Sequence, residues 1–202
     1  MTNDIRESIA FQAESIGPIL HAGMATSLVA SRTHTKHLAH EKYPHLLPLH
    51  LRAELREYLE VETLPNGWLV GGDSKLMGQL ILRNPELGFE LRFVKERGAT
   101  NPGGVPQAGS NRARRKAWTN PPLDSPIPGL ETFGLAEPTK FLLCWDFVDG
   151  DVESFSLRIV HTVGAGRFGS RVPLDLILEV QAGGSIFTRL SFQGSADSQD
   201  FF

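Results

Sequence analysis

Ile5, Ile9, Ala13, Ile16 and Leu20 recur three to four residues apart, the spacing that lines one face of an α-helix. This predicts one or two helices over residues 3 to about 31, with Thr2, Asn3 or Asp4 as the cap. Pro18 lacks an amide donor and suits a first helical turn, so it is expected to break this segment or restart it as a second, apolar helix over 19–30. Residues 32–45 are polar and histidine-rich and read as a loop or short helix. A clearer helix is predicted from about Leu46 to Glu62, with Pro48 in its first turn. Its stripe is Leu47, Leu51, Leu55, Tyr58 and Leu59, while Arg52, Glu54, Arg56, Glu57 and Glu60 lie mostly off it.

After Pro65-Asn66-Gly67 the period changes. Short strands are expected at 67–71, 78–83 and 89–95, the last two paired as a hairpin across 84–88; a helix over 74–83 competes with the second. Residues 98–139 hold many of the prolines and several glycines, and read as one long irregular segment. Strands are expected again at 140–148 and 154–163, flanking Asp149-Gly150-Asp151. Apolar and polar residues then alternate through 172–180 and 186–193, the pattern of half-buried antiparallel strands. The fold class this implies is α+β: N-terminal helices packed on a mostly antiparallel C-terminal β-sheet of five to seven strands, with a long irregular insertion. A single domain over 1–202 is expected, divided into a helical part (1–64), a β-rich part (65–194, carrying the 98–139 loop) and a tail (195–202).

Composition adds little to this. A chain of 202 residues, 41% hydrophobic and 21% charged, can bury an ordinary core and needs no disulfide or metal to hold it. The one cysteine, Cys144, excludes an intramolecular disulfide. Residues 1–20 show no signal-peptide pattern and no apolar run spans a membrane, so a cytoplasmic protein is expected, with no membrane partner.

Charge changes the picture more. Between Arg92 and Trp118 there are seven cations (Arg92, Lys95, Arg97, Arg112, Arg114, Arg115, Lys116) and one acid, Glu96. That segment is +6 in a chain of net charge −3, which leaves −9 on the remainder. Arginine forks match phosphate oxygens, Trp118 offers a ring that could stack on a base, and the nearby glycines 103, 104 and 109 let backbone approach a ligand. The competing reading is a solvated loop whose cations pair with the acidic remainder.

Other constellations are weaker. Asp73, Glu90 and Arg92 loosely resemble the PD-(D/E)xK nuclease pattern, which implies a divalent ion and an activated water. Two features depart from it: no proline precedes Asp73, and Arg92 stands where a lysine would act. His34, His37, His40, His45 and His50 with Glu41 include spacings that a helix could turn toward a metal, although the ordinary reading is a polar connection. Gly164-Ala165-Gly166-Arg167-Phe168-Gly169 spells a dinucleotide-binding pattern, but strand-period residues and Pro173 follow where a helix is required, so it reads as a glycine-rich turn between strands. Cys144 lies in an apolar strand with His161 on the expected partner strand, and nothing else supports a nucleophilic pair. The tail 195–202 is acidic and ends in Phe201-Phe202, a plausible ligand for another protein's apolar pocket.

The sequence therefore supports first a non-enzymatic protein that contacts nucleic acid or another polyanion through Arg92, Lys95, Arg97, Arg112, Arg114, Arg115, Lys116 and Trp118, with no cofactor. A metal-dependent nuclease using Asp73 and Glu90 is one alternative. A protein-interaction module or homo-oligomer subunit using the tail is another.

Overall fold

The computed structural model describes residues 5–39, 41–98, 100–124, 137–148 and 151–183. The expected caps at 2–4, His40, the Asp149-Gly150 pair, the strand at 186–193 and the tail 195–202 lie outside them.

The first helix, α1 (Ile5–Thr35), runs unbroken through Pro18, contrary to the expected restart. Pro18 and Glu14 are both exposed, so the carbonyl that loses its partner faces water. The buried stripe Ile9, Ile16, Leu20, Met24 and Leu28 continues on either side and holds the helix together. Helix α2 (Leu46–Val61) buries Leu47, Leu51, Leu55 and Leu59. The two helices meet at Gly23, where a Cβ would lie 2.8 Å from Tyr58 and 2.9 Å from Leu55.

The strands are β1 (Leu69–Gly71), β2 (Ile81–Asn84), β3 (Phe89–Lys95), β4 (Thr139–Val148), β5 (Asp151–Thr162) and β6 (Leu174–Glu179). They form one six-stranded sheet in sequence order, so the fold is α+β as the sequence implied. Residues 74–77 form turns, and no helix occupies 74–83. All neighbours are antiparallel except β3 and β4, which run parallel from Phe89 beside Thr139 to Lys95 beside Trp145. A tight turn cannot join parallel strands; they need a long crossover. Residues 96–138 supply it, so the apparent insertion is a requirement of the topology.

The crossover also contains a short helix, α3 (Arg112–Trp118), where an irregular loop was expected. Asn111 caps it by accepting a hydrogen bond from the Arg114 N–H at 3.0 Å. The result is a third layer. On one face of the sheet, Leu91, Phe93, Phe141, Leu143, Trp145, Leu157, Ile159, Leu176 and Leu178 pack beneath α1 and α2. On the other, Val94, Leu142, Cys144 and Val160 pack against Val105, Ala108, Ala117 and Trp118 of the crossover and Val172. Farther along, Arg6 of α1 ties the crossover down, bonding Asp124 at 2.7 and 3.0 Å and the Asp175 carbonyl at 2.7 Å. Among the described residues no helix is long and apolar enough to cross a membrane.

Candidate nucleic-acid interface

The helical period of α3 divides its cations. Arg114, Ala117 and Trp118, spaced i, i+3 and i+4, face the sheet, whereas Arg112, Arg115 and Lys116 are exposed. Trp118 is 1% exposed and its indole N–H donates to the Pro106 carbonyl at 2.8 Å. The Arg114 guanidinium lies 4.8 Å from the ring centroid. The expected role of Trp118 as a stacking surface is thus corrected to one of anchoring α3: its ring is core, and no face is left for a base. The outward residues Arg112, Arg115 and Lys116 border a shallow depression with Ser110, Ala113 and Thr119.

Arg114 points into a cluster of like charge. Arg92 comes from β3, Arg97 from the start of the crossover and Arg52 from α2. Burial first, then repulsion from Arg92, Arg52 and Arg97, lowers the pKa of Arg114. Arg52 is lowered by burial and then by Arg92. Arg92 is lowered by burial, with Glu90 opposing the shift and Arg83 reinforcing it. Guanidinium groups nevertheless remain cations near neutral pH. The Nε atoms of Arg52 and Arg92 are buried without a hydrogen-bond partner among the described residues. Leaving a buried donor unsatisfied costs about 1–3 kcal/mol. Glu90, whose charge opposes the lowering of Arg92, is itself paired with Arg83 at 3.3 Å. Nothing in the sequence marks Arg52, because only the fold brings its charge under the influence of Arg92.

The remaining cations of the run are spoken for. Lys95 projects to the opposite face of the sheet, 4.6 Å from the Trp145 ring centroid, and pairs with Asp146 at 2.5 Å. Lys116 shares Glu137 with Lys140. Glu96, the one acid of the run, is paired with Arg158 at 2.6 Å. Arg158 also donates to the Gly103 carbonyl at 2.6 Å, so this pair fastens the crossover to β5. Among the described residues no carboxylate forms an ion pair with Arg92, Arg97, Arg112, Arg114 or Arg115.

The other constellations do not assemble. Asp73 is exposed and caps its own turn through the Lys75 N–H, two strands away from Glu90 on β3, roughly 10 Å at ordinary strand spacing. His34 pairs with Glu54 at 3.3 Å, and α1 ends at Thr35, before His37 and Glu41 could share a helical face. Among the described residues no three His, Cys, Asp or Glu side chains are placed to hold a metal ion. Cys144 and His161 belong to opposite faces of the sheet: the thiol lies beside Val160 and Trp118, and the imidazole lies against Phe141 with Nδ1 2.6 Å from Asp175. Burial pushes the Cys144 thiol well up, the reverse of what a nucleophile needs. The Gly164–Gly169 run lies in the loop that joins β5 to β6, so a strand follows it where the dinucleotide pattern requires a helix. No protein-family model matches the chain, and no curated protein or solved structure matches it either.

Proposed function

We propose that the protein is a non-enzymatic binder of a polyanion, nucleic acid first among them, and that it engages phosphates through the arginines of the crossover, β3 and α2. One observation carries this reading: Arg52 of α2 and Arg92 of β3 each bury an Nε donor without a partner, and the like charges of Arg92, Arg52 and Arg97 act on the partly buried Arg114 of α3. A protein gains no stability from such an arrangement alone. An anion set among them would satisfy the donors and cancel the repulsion together. Arg112 and Arg115 on the outer side of α3 extend the positive surface from that point. Guanidinium groups hold phosphate oxygens but do not exchange protons near neutral pH, so the reading is one of binding.

The test is fluorescence anisotropy with labelled oligonucleotides over a range of salt. Affinity is expected to fall linearly on a log–log plot, with a slope of roughly −2.8 to −3.5 for four to five phosphates on a single strand. Replacing Arg112, Arg114, Arg115 and Lys116 by alanine should abolish it. Absence of binding, or binding indifferent to salt, would overturn the proposal.

A further inference from the structure

We infer that Phe168 is a stacking platform for an unpaired base, which makes the preferred ligand a single-stranded nucleic acid; this inference rests on the polyanion reading above. Phe168 is 96% exposed, against 1% for Trp118 and Trp145. Its position is built. The β5–β6 connection returns to the sheet at both ends, with Ala165 and Val172 packed into the same apolar cluster as Ala117 and Trp118 of α3. The Ala165 carbonyl accepts the Ala108 N–H of the crossover at 3.0 Å, and Val163 donates to Pro173 at 3.0 Å across the base of the loop. At the tip, Ser170 donates to the Arg167 carbonyl at 3.1 Å and Gly169 has a φ of +76°. Those are the closing bond and third-position backbone angle of a type II turn, with Phe168 in the second position. A pinned turn therefore holds an aromatic ring in water beside the exposed Arg167.

The placement matters because the loop and α3 share one face of the sheet. Arg92 stands on β3 and the Phe168 loop beyond β5, and Ala117 and Trp118 of α3 pack in the same layer as that loop's Ala165 and Val172. From β3 to β6 is three strand spacings, about 14 Å. A backbone gripped at the arginines and carried across the crossover layer reaches the ring within a few nucleotides. A paired base is stacked on both sides and cannot use the ring; an unpaired one can, whatever its identity. A flanking arginine complements the phosphate next to that base.

The experiment compares three probes on the native protein and on Phe168→Ala: a labelled twelve-residue oligo-dT, a DNA hairpin duplex of equal phosphate count, and heparin, a polyanion with no bases. Phe168 touches almost nothing, so the variant should fold with native stability. The expected result is about tenfold weaker binding of oligo-dT, with the duplex and heparin within twofold and the salt slope unchanged. Phe168→Trp should restore oligo-dT affinity, with its fluorescence quenched on binding. Unchanged oligo-dT affinity in Phe168→Ala, with binding still lost on removal of the crossover arginines, overturns the stacking inference and leaves the polyanion reading standing; it would point to a protein partner at that ring. An equal loss on all three probes overturns it as well. A native protein that binds none of the three overturns both.

Discussion

Burial first, and then the like charge of Arg92 on β3, lowers the pKa of Arg114 on α3. Two like charges thus meet in a half-buried space that the fold could have filled with an ion pair or with apolar side chains. Arg92→Met keeps the aliphatic stem and removes both the charge and the unpartnered Nε. With no ligand present it should therefore stabilise the protein, by about 0.5–1 kcal/mol. In a chain of this size that is a rise of roughly 1–4 °C in Tm. Differential scanning calorimetry at low salt checks it; a fall in Tm would mean that Arg92 is a structural residue.

Glu96 and Arg158 form the opposite kind of pair, 2.6 Å apart with side chains 9% and 19% exposed. Glu96→Ala leaves Arg158 without its carboxylate beneath the crossover. The expected loss is about 2–3 kcal/mol, toward the low end for a broken buried pair because Arg158 keeps some contact with water. Urea unfolding measures it, as a lower midpoint with an unchanged slope.

Trp118 separates core from ligand contact. Trp118→Phe retains a ring but loses the bond to Pro106 and leaves a gap under α3, at a cost of about 1–3 kcal/mol. Because the indole is buried, the folded variant should bind oligonucleotides within twofold of the native protein. A tenfold loss at full folding would return Trp118 to the interface.

Glu137 pairs with both Lys116 and Lys140 on the surface. Hydrogen bonds from Lys116 and Lys140 lower its carboxyl pKa to about 2 from an ordinary 4.5. A depressed carboxylate contributes stability above the unfolded-state value and loses it as pH falls through the folded one, so this contribution is intact at neutral pH and disappears between about 4.5 and 2. Glu137→Gln releases Lys116 at neutral pH without acid. Affinity for a polyanion should then rise about twofold, with a salt slope steeper by up to one phosphate equivalent. No change in either would exclude Lys116 from the binding surface.

Much of the scaffold is legible in the residues. The leucine stripe at 47, 51, 55 and 59 marks α2, and the alternation through Leu174, Leu176 and Leu178 marks β6. The α2 reading succeeds because one period governs one buried face; in β6 only Leu176 and Leu178 share the helix side, while a register shift beside Thr162 puts Leu174 with Ile177 in the crossover-side cluster. Pro18 misleads because its cost depends on which side of the helix faces water, which is a tertiary fact. The parallel pairing of β3 with β4 is invisible to periodicity, and with it the reason that residues 96–138 exist. The positive run is legible as composition, but its division is not. Lys95 and Arg92 differ by three positions in a strand and so point to opposite faces. Trp118 and Phe168 are both aromatic residues near arginines, and only packing shows that the first is buried and the second bare. Arg52 lies forty positions from Arg92, and nothing local connects them.

That last relationship makes Arg52 the sharpest probe of the site. A basic loop acting alone would use only cations between 92 and 118, whereas the folded cluster recruits one from α2. The decisive measurement is oligonucleotide affinity across a salt series for native protein, Arg52→Met and Arg114→Met. The cluster predicts similar losses in both variants, about five- to tenfold at low salt, with each salt slope shallower by about 0.7. Native affinity in Arg52→Met beside a clear loss in Arg114→Met would contradict it.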